Sequence, residues 1–319
     1  MKFPNLFKLL AFLTGGAMLL TASPFVIQTV IDPTGNSFIN LLGINNGGTI
    51  AGFDNNAPAQ GFTLVLPNNF SSENFPGSTS SMVTGINQNG DTVGIYTDAA
   101  GNTHGFTDIG GSFKTVDNPA SPVFNQGLGI NNSDETVGYY APTQLGTTGQ
   151  IAYSQSGGVF SNVNSLLPAN FNSQAVGVNN VGNIVGFFMP TATTSVGFLD
   201  VGGTISMIDP FGSTFTQALG INNLGEIVGF YLDGSSVQHG YIDIGGVFTS
   251  FDPPASTNTT INGVNDLGDI VGFYTDANDN VIGFVGTTTP EPATLALVGA
   301  ALLACLGVLR RRNGSLKIG

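Results

Sequence analysis

Six copies of one short motif divide the chain into repeats of nearly constant length, and this periodicity limits the fold more than any other feature. Each copy starts with Gly, followed by either Ile or Val and then by Asn. A polar turn comes next, and the copy ends with Val-Gly or Ala-Gly before bulky apolar residues. The copies begin at Gly43, Gly85, Gly129, Gly177, Gly220 and Gly263, with spacings of 42, 44, 48, 43 and 43 residues. A period of this length is typical of the four-stranded blades of β-propellers.

The fifth repeat shows how turns divide each repeat into strands. It predicts strands over residues 218–222, 226–232, 238–244 and 247–251. Gly, Asn, Asp and Ser, which favour turns, separate them. The Asp252-Pro253-Pro254 sequence ends the last strand, because proline has no backbone N–H to donate to a sheet.

The two ends of the repeat region indicate a closed ring. The sixth repeat stops after its third strand, at residues 281–285, whereas residues 27–31 form a strand-like segment before the first repeat. Pairing that segment into the last blade would hide two sheet edges that otherwise invite aggregation. The sequence therefore predicts an all-β, six-bladed propeller closed by an N-terminal strand. An open β-solenoid is the alternative, but it leaves the extra strand without a partner.

Charge is distributed unevenly along the chain. Only 8% of residues are charged, and between residues 23 and 289 a single base, Lys114, faces 19 acids. A surface this acidic repels phosphate backbones, so we exclude nucleic acid as a partner. The one cysteine, Cys305, lies in the apolar tail, so the repeat region has no disulfide and no thiol nucleophile.

Both termini carry apolar segments with basic flanks. Residues 1–22 have Lys2 and Lys8, an apolar run and small residues at its end, which is typical of a secretory signal peptide. Residues 295–309 are apolar and would span about 22 Å as a helix, less than a bilayer core of about 30 Å. The arginines that follow would hold the repeat region outside the cytoplasm.

The C-terminal tail resembles the PEP-CTERM sorting signal. That signal combines a Pro-Glu-Pro sequence, a short transmembrane helix and a basic cluster, matched here by Pro290, Glu291, Pro292, Arg310, Arg311 and Arg312. The resemblance implies processing by an exosortase, a membrane-embedded transpeptidase-like enzyme, in Gram-negative bacteria that make exopolysaccharide. The expected organisation is a signal peptide over 1–22, a propeller over 23–287 and a sorting signal over 288–312, with membrane anchoring before processing.

The repeat region is also similar to bacterial extracellular repeats of the HAF family. The similarity rests on His104-Gly105-Phe106 and His239-Gly240-Tyr241, each placed after the hairpin of its repeat. The other four repeats lack the histidine. This resemblance covers nearly the whole repeat region and implies an extracellular location without an established activity.

The repeated asparagine of the first turn is the main candidate for a shared site. Its copies are Asn45, Asn87, Asn131, Asn179, Asn222 and Asn265. We expect the side chains to bond their own turn backbone, with a ring of amides that binds a sugar or an ion as the alternative. His104 and His239 would lie in separate blades as structural residues, and we assign no catalytic residue.

Oxygen ligands make calcium the ion best suited to this chain, although no cofactor is required by the sequence. Asp276, Asn278, Asp279 and Asn280 alternate such oxygens, but their spacing is not that of an EF-hand loop. We therefore predict a non-enzymatic surface or matrix protein with a structural or adhesive propeller associated with exopolysaccharide. The alternative is a carboxylate-based polysaccharide hydrolase or lyase, which requires two converging acids.

Overall fold

The computed structural model describes residues 25–31, 39–54, 57–163, 167 and 171–288. These residues form six antiparallel four-stranded sheets, which confirms the predicted six-bladed β-propeller. The propeller occupies residues 27–287 as one compact unit. The predicted signal peptide and nearly all of the sorting tail lie outside the described residues. Within the described part of the chain, no helix has the length and apolar character needed to cross a bilayer.

Four consecutive strands build each of the first three blades, with the first strand innermost. Blade 1 contains β2 (Ile39–Ile44), β3 (Thr49–Asp54), β4 (Gln60–Val65) and β5 (Asn69–Ser72). Blade 2 contains β6 (Ser80–Ile86), β7 (Thr92–Thr97), β8 (Thr103–Ile109) and β9 (Ser112–Val116). Blade 3 contains β10 (Asn125–Ile130), β11 (Thr136–Tyr140), β12 (Ile151–Ser156) and β13 (Val159–Asn162).

The remaining blades follow the same plan, except that the last one takes a strand from the chain start. Blade 4 contains β14 (Asn172–Val178), β15 (Ile184–Thr191), β16 (Thr194–Val201) and β17 (Thr204–Ile208). Blade 5 contains β18 (Thr216–Ile221), β19 (Glu226–Leu232), β20 (Gln238–Ile244) and β21 (Val247–Phe251). Blade 6 contains β22 (Ser256–Val264), β23 (Ile270–Asp276), β24 (Val281–Thr288) and β1 (Phe25–Val30). A short 3-10 turn, Pro210–Gly212, connects blades 4 and 5.

The N-terminal strand β1 hydrogen-bonds to β24 and completes the sheet of blade 6. The innermost strands β22 and β2 also contact each other, so blade 6 packs against blade 1 and the ring is closed. The predicted pairing of the leftover strand is therefore confirmed, and the solenoid alternative is wrong.

Glycine pairs with a buried aromatic residue inside every blade. The Gly of each second strand lies opposite an aromatic residue of the third strand, as Gly94 does opposite Phe106 and Gly229 opposite Tyr241. A Cβ on Gly94 would lie 2.5 Å from the Phe106 ring, so only glycine leaves room for it. The aromatic residues are Phe62, Phe106, Tyr153, Phe198, Tyr241 and Phe284, all buried. This pairing explains the glycine of the repeated Val-Gly sequence. The buried aromatic rings form part of the apolar core of the blades.

A second set of glycines lets the innermost strands approach one another at the axis. Each is the first residue of a repeat motif and follows a β-bulge in its strand, as in β10 between Gly127 and Gly129. A Cβ on Gly129 would lie 2.6 Å from the carbonyl oxygen of Val176 in the next blade. A Cβ on Gly220 or Gly263 would likewise lie 2.8 Å from a carbonyl oxygen of the next blade, so side chains at these three positions would force the blades apart.

Candidate functional site

The repeated asparagine closes the first turn of its own blade, as Asn131 illustrates. Its Oδ1 accepts the backbone N–H groups of Ser133 at 2.9 Å and of Glu135 at 3.1 Å. Its Nδ2 donates to the Glu135 carboxylate at 3.0 Å. The side chain is 4% exposed, so these bonds satisfy polar groups that have little access to water. The turn role expected from the sequence is present in this geometry.

The same asparagines also link each blade to the next. Every Nδ2 donates to the backbone carbonyl oxygen of the corresponding asparagine one blade further on, at 2.9–3.2 Å. The donors and acceptors run Asn45 to Asn87, Asn87 to Asn131, Asn131 to Asn179, Asn179 to Asn222, Asn222 to Asn265 and Asn265 back to Asn45. We call this closed circle of six hydrogen bonds the inner amide ring.

The residues that follow these asparagines form a second circle, the outer amide ring. Each side-chain oxygen accepts the backbone N–H of the equivalent residue in the preceding blade, at 2.7–2.9 Å. The members are Asn46, Gln88, Asn132, Asn180, Asn223 and Asp266. The sequence carries a signal for this ring that was missed, because the position after the repeated asparagine is always a carboxamide or a carboxylate.

Asp266 is the one carboxylate of the outer amide ring. Its Oδ2 accepts the side-chain N–H groups of Asn46 at 3.0 Å and Asn223 at 2.9 Å. Burial alone would raise the pKa of Asp266, but these hydrogen bonds outweigh it and hold the pKa below its usual value. The ionised carboxylate therefore completes the ring between blades 5, 6 and 1.

The axis inside these rings is narrow. The cavity at the amide rings has a volume of about 60 Å³, and the one lined by the axial Gly and Ile or Val residues has about 80 Å³. Spaces of this size hold a few water molecules rather than a sugar ring. Each Nδ2 and each Oδ1 atom of the inner ring also makes at least one hydrogen bond within the protein, as those of Asn45 and Asn179 do. We therefore interpret the two rings as the device that locks six blades together.

The two histidines occupy equivalent positions on opposite blades, 2 and 5, and each lies between two aspartates. In blade 2, His104 Nδ1 lies 2.7 Å from Asp117 Oδ2, and its Nε2 lies 3.3 Å from Asp98 Oδ2. In blade 5, the corresponding distances from His239 are 2.7 Å to Asp252 and 3.5 Å to Asp233.

These clusters are acid–base pairs within one blade, and they tie the second-to-third-strand turn to the end of the fourth strand. Burial lowers the pKa of each imidazole, but the bonds and charges of the flanking aspartates raise it by more, so both pKa values lie above the usual one. The sequence signal that was missed is an Asp six residues before and thirteen after each histidine.

The calcium candidates lie together in the turn between β23 and β24. There the Asp276 carboxylate accepts the backbone N–H groups of Asn278 at 2.7 Å and Asn280 at 3.0 Å, and the Asn280 side chain at 2.9 Å. Asp98 and Asp233 hold the corresponding turns of blades 2 and 5 in the same way. The Asp276 oxygens are thus used to shape a turn. Among the described residues, no group of three His, Cys, Asp or Glu side chains is arranged to hold a metal ion.

One pair of acids meets between blades 1 and 2. Burial and, to a smaller extent, the adjacent Asp108 together raise the pKa of Glu73 to about 7, against a hydrogen bond from Thr92 that lowers it. The Thr92 hydroxyl donates to Glu73 Oε1 at 3.0 Å. Thr92 therefore occupies one oxygen of Glu73, and Asp108 lies near enough to influence the ionisation of this carboxyl group.

The comparisons with known proteins identify the C-terminal signal. A model of the PEP-CTERM protein-sorting motif matches residues 288–312, which contain the predicted Pro-Glu-Pro and arginine residues. The sorting-signal resemblance is therefore confirmed, although these residues lie almost entirely outside the described part of the chain. No curated protein matches the chain. The similarity to HAF repeats stays a prediction.

Solved structures resemble the propeller at low sequence identity. TolB from Acinetobacter baumannii aligns with a TM-score of 0.52 at 7% identity, over 76% of this chain and 64% of its own. A six-bladed fungal lectin from Aleuria aurantia aligns with a TM-score of 0.45 at 13% identity, over 84% and 98%. AofleA from Arthrobotrys oligospora gives 0.46 at 11%, over 84% and 87%. At these identities the likeness is one of fold alone. The chain is a six-bladed propeller with a PEP-CTERM sorting motif, which indicates an exported, sorted protein.

Proposed function

We propose that this protein is processed by an exosortase and delivered to the cell surface or extracellular matrix, where its propeller acts as a non-enzymatic structural or adhesive module associated with exopolysaccharide. The observation that carries this proposal is the sorting motif at residues 288–312. The predicted signal peptide at residues 1–22 and the acidic, disulfide-free repeat region are consistent with it.

The geometry of the propeller supports a binding or scaffolding role. Two closed hydrogen-bonded rings at the axis and a paired N-terminal strand leave a ring without open ends. Such closure resists local unfolding, which suits a module exposed outside the cell.

The rival function is a hydrolase or lyase that uses two carboxylates. Most acids of the described residues instead brace repeat-related turns, as Asp276, Glu135 and Asp243 do. Glu73 and Asp108 influence each other's surroundings between blades 1 and 2, where the Thr92 hydroxyl already donates to one Glu73 oxygen. The arrangement therefore favours the non-enzymatic module.

Cell fractionation of a host that expresses the full chain tests the sorting step. We expect the tagged wild type to lose its C-terminal tail and to appear at the surface or in the medium. Replacing Pro290, Glu291 and Pro292 together by alanine should keep the protein unprocessed at the inner membrane. Pro254→Ala, at an exposed proline of the propeller, is the matched control and should behave as wild type. Equal processing of the triple variant and the control would contradict the proposal.

A further inference from the structure

The connection between blades 4 and 5 differs from its counterparts in the other blades. In the related connections of blades 2 and 5, Pro119 and Pro254 stand where this one has Phe211. Phe211 is 60% exposed and has a φ of +59°, in the left-handed region that side chains other than glycine rarely adopt. A bulky residue held there costs of order 1–3 kcal/mol, and such strain is concentrated at functional sites.

Phe211 forms one wall of a cleft with a volume of about 330 Å³. The cleft is also lined by Tyr231, by Thr214 and by the turn that begins at Asp233. This volume falls within the range of about 300–1,000 Å³ that is usual for small-molecule sites. It is larger than each of the cavities along the axis, which have volumes of about 60, 80 and 200 Å³.

The Phe211 ring is supported from beneath and open above. Its centroid lies 5.1 Å from that of Tyr231, at an interplanar angle of 48°, and 6.3 Å from that of Phe248. Tyr231 is buried, and its hydroxyl donates to Ser250. The packed rings therefore hold the exposed Phe211 ring in place as an aromatic platform. An exposed aromatic platform suits a sugar ring, because the C–H groups on one face of the sugar form an apolar surface that packs against it.

The polar groups of the cleft accept hydrogen bonds from a ligand. Asp233 Oδ1 takes the backbone N–H groups of Ser235 and Val237, both at 2.8 Å, and these bonds hold the pKa of this carboxyl below its usual value. Oδ2 lies 3.5 Å from His239 Nε2 and retains room for a further donor. The exposed Thr214 can donate or accept. No lysine or arginine lines this cleft, so nothing in it compensates an anionic ligand.

We propose that the cleft between Phe211 and Asp233 on blade 5 binds a neutral saccharide, with the sugar ring on Phe211 and its hydroxyl groups on Asp233 and Thr214. This site rests on the proposed function and gives its binding surface. A uronic acid is disfavoured because its carboxylate would face the ionised Asp233. A quaternary ammonium ion, which also favours aromatic rings and carboxylates, is better served by a cage than by one platform.

The test uses the full chain in a detergent without a sugar headgroup, applied to an array of neutral glycans and the matching uronic acid glycans. Wild-type protein should bind at least one neutral glycan, and it should bind no uronic acid glycan more tightly than that neutral glycan. Glycine fits the left-handed backbone, so Phe211→Gly should keep or raise the melting temperature. The same variant should bind that glycan at least 10-fold more weakly, as measured by calorimetry. Asp233→Asn should weaken it several-fold, whereas Leu224→Ala, at an exposed residue of the amide-ring turns, should leave it unchanged.

Each outcome decides between the alternatives. Unchanged glycan binding by Phe211→Gly would overturn this site while leaving the proposed association with polysaccharide intact. Absence of any neutral glycan from the bound set, tighter binding of uronates, or binding of choline chloride in place of glycans would also overturn it. Failure of the sorting test, in contrast, would remove the proposed function without affecting glycan binding by the purified chain.

Discussion

Removing one member of the inner amide ring should destabilise the whole propeller. Asn131→Ala deletes four hydrogen bonds, to the backbone of Ser133 and Glu135, to the Glu135 carboxylate and to the Asn179 carbonyl. Each such bond contributes about 0.5–1.5 kcal/mol, and buried groups left without partners cost more. Water that enters the axial cavity recovers part of this loss. We therefore expect a loss of about 2–4 kcal/mol in the free energy of unfolding.

At about 2 °C per kcal/mol for a domain of this size, the melting temperature should fall by about 4–8 °C. Thermal unfolding followed by circular dichroism measures this fall. Ser133→Ala is the matched control, because the exposed Ser133 hydroxyl makes none of the four bonds. Asn131→Asp should cost more than Asn131→Ala at pH 7, since it places a carboxylate beside Glu135. If Asn131→Ala cost no more than Ser133→Ala, the structural role of the ring would be refuted.

Three further changes test other parts of the structure. Folding raises the pKa values of His104 and His239, so their contribution to the free energy of unfolding is complete below about pH 6.5 and is lost as pH rises through the folded pKa values. Urea unfolding should therefore give a lower free energy of unfolding at pH 8 than at pH 5, and replacing both histidines by glutamine should reduce this difference. Glu73→Gln should stabilise the protein above pH 7 and leave it unchanged at pH 4, because ionising a buried Glu73 costs stability as pH rises through its pKa of about 7. Gly129→Ala should destabilise it by about 1–3 kcal/mol through overpacking at the axis, whereas Gly234→Ala, with open space around its Cβ, should have little effect; equal melting temperatures would contradict the close approach of the inner strands.

The fold could be predicted because each repeat carries its own local signals. The strands predicted for the fifth repeat over residues 226–232, 238–244 and 247–251 have the bounds of β19, β20 and β21. The first strand is predicted over residues 218–222, whereas β18 runs over Thr216–Ile221. Thr216 and Gln217 are polar and continue no apolar alternation, so only their pairing with β19 identifies them as strand residues.

The sites were harder to predict, since they depend on contacts between residues far apart in the chain. The turn role of Asn131 is local and follows from its neighbours, but its bond to Asn179 joins residues 48 positions apart. Phe211 was missed for a different reason. A search for repeats emphasises what the blades share, and Phe211 is a residue that the related connections replace by proline.

Titrating the full chain with the exopolysaccharide of its own host by calorimetry tests the proposed function most directly, when it is followed by an assay for new reducing or unsaturated ends. We predict saturable binding without new ends, as expected of an adhesive module. New chain ends would identify a hydrolase or a lyase, and absence of binding would contradict an association with exopolysaccharide.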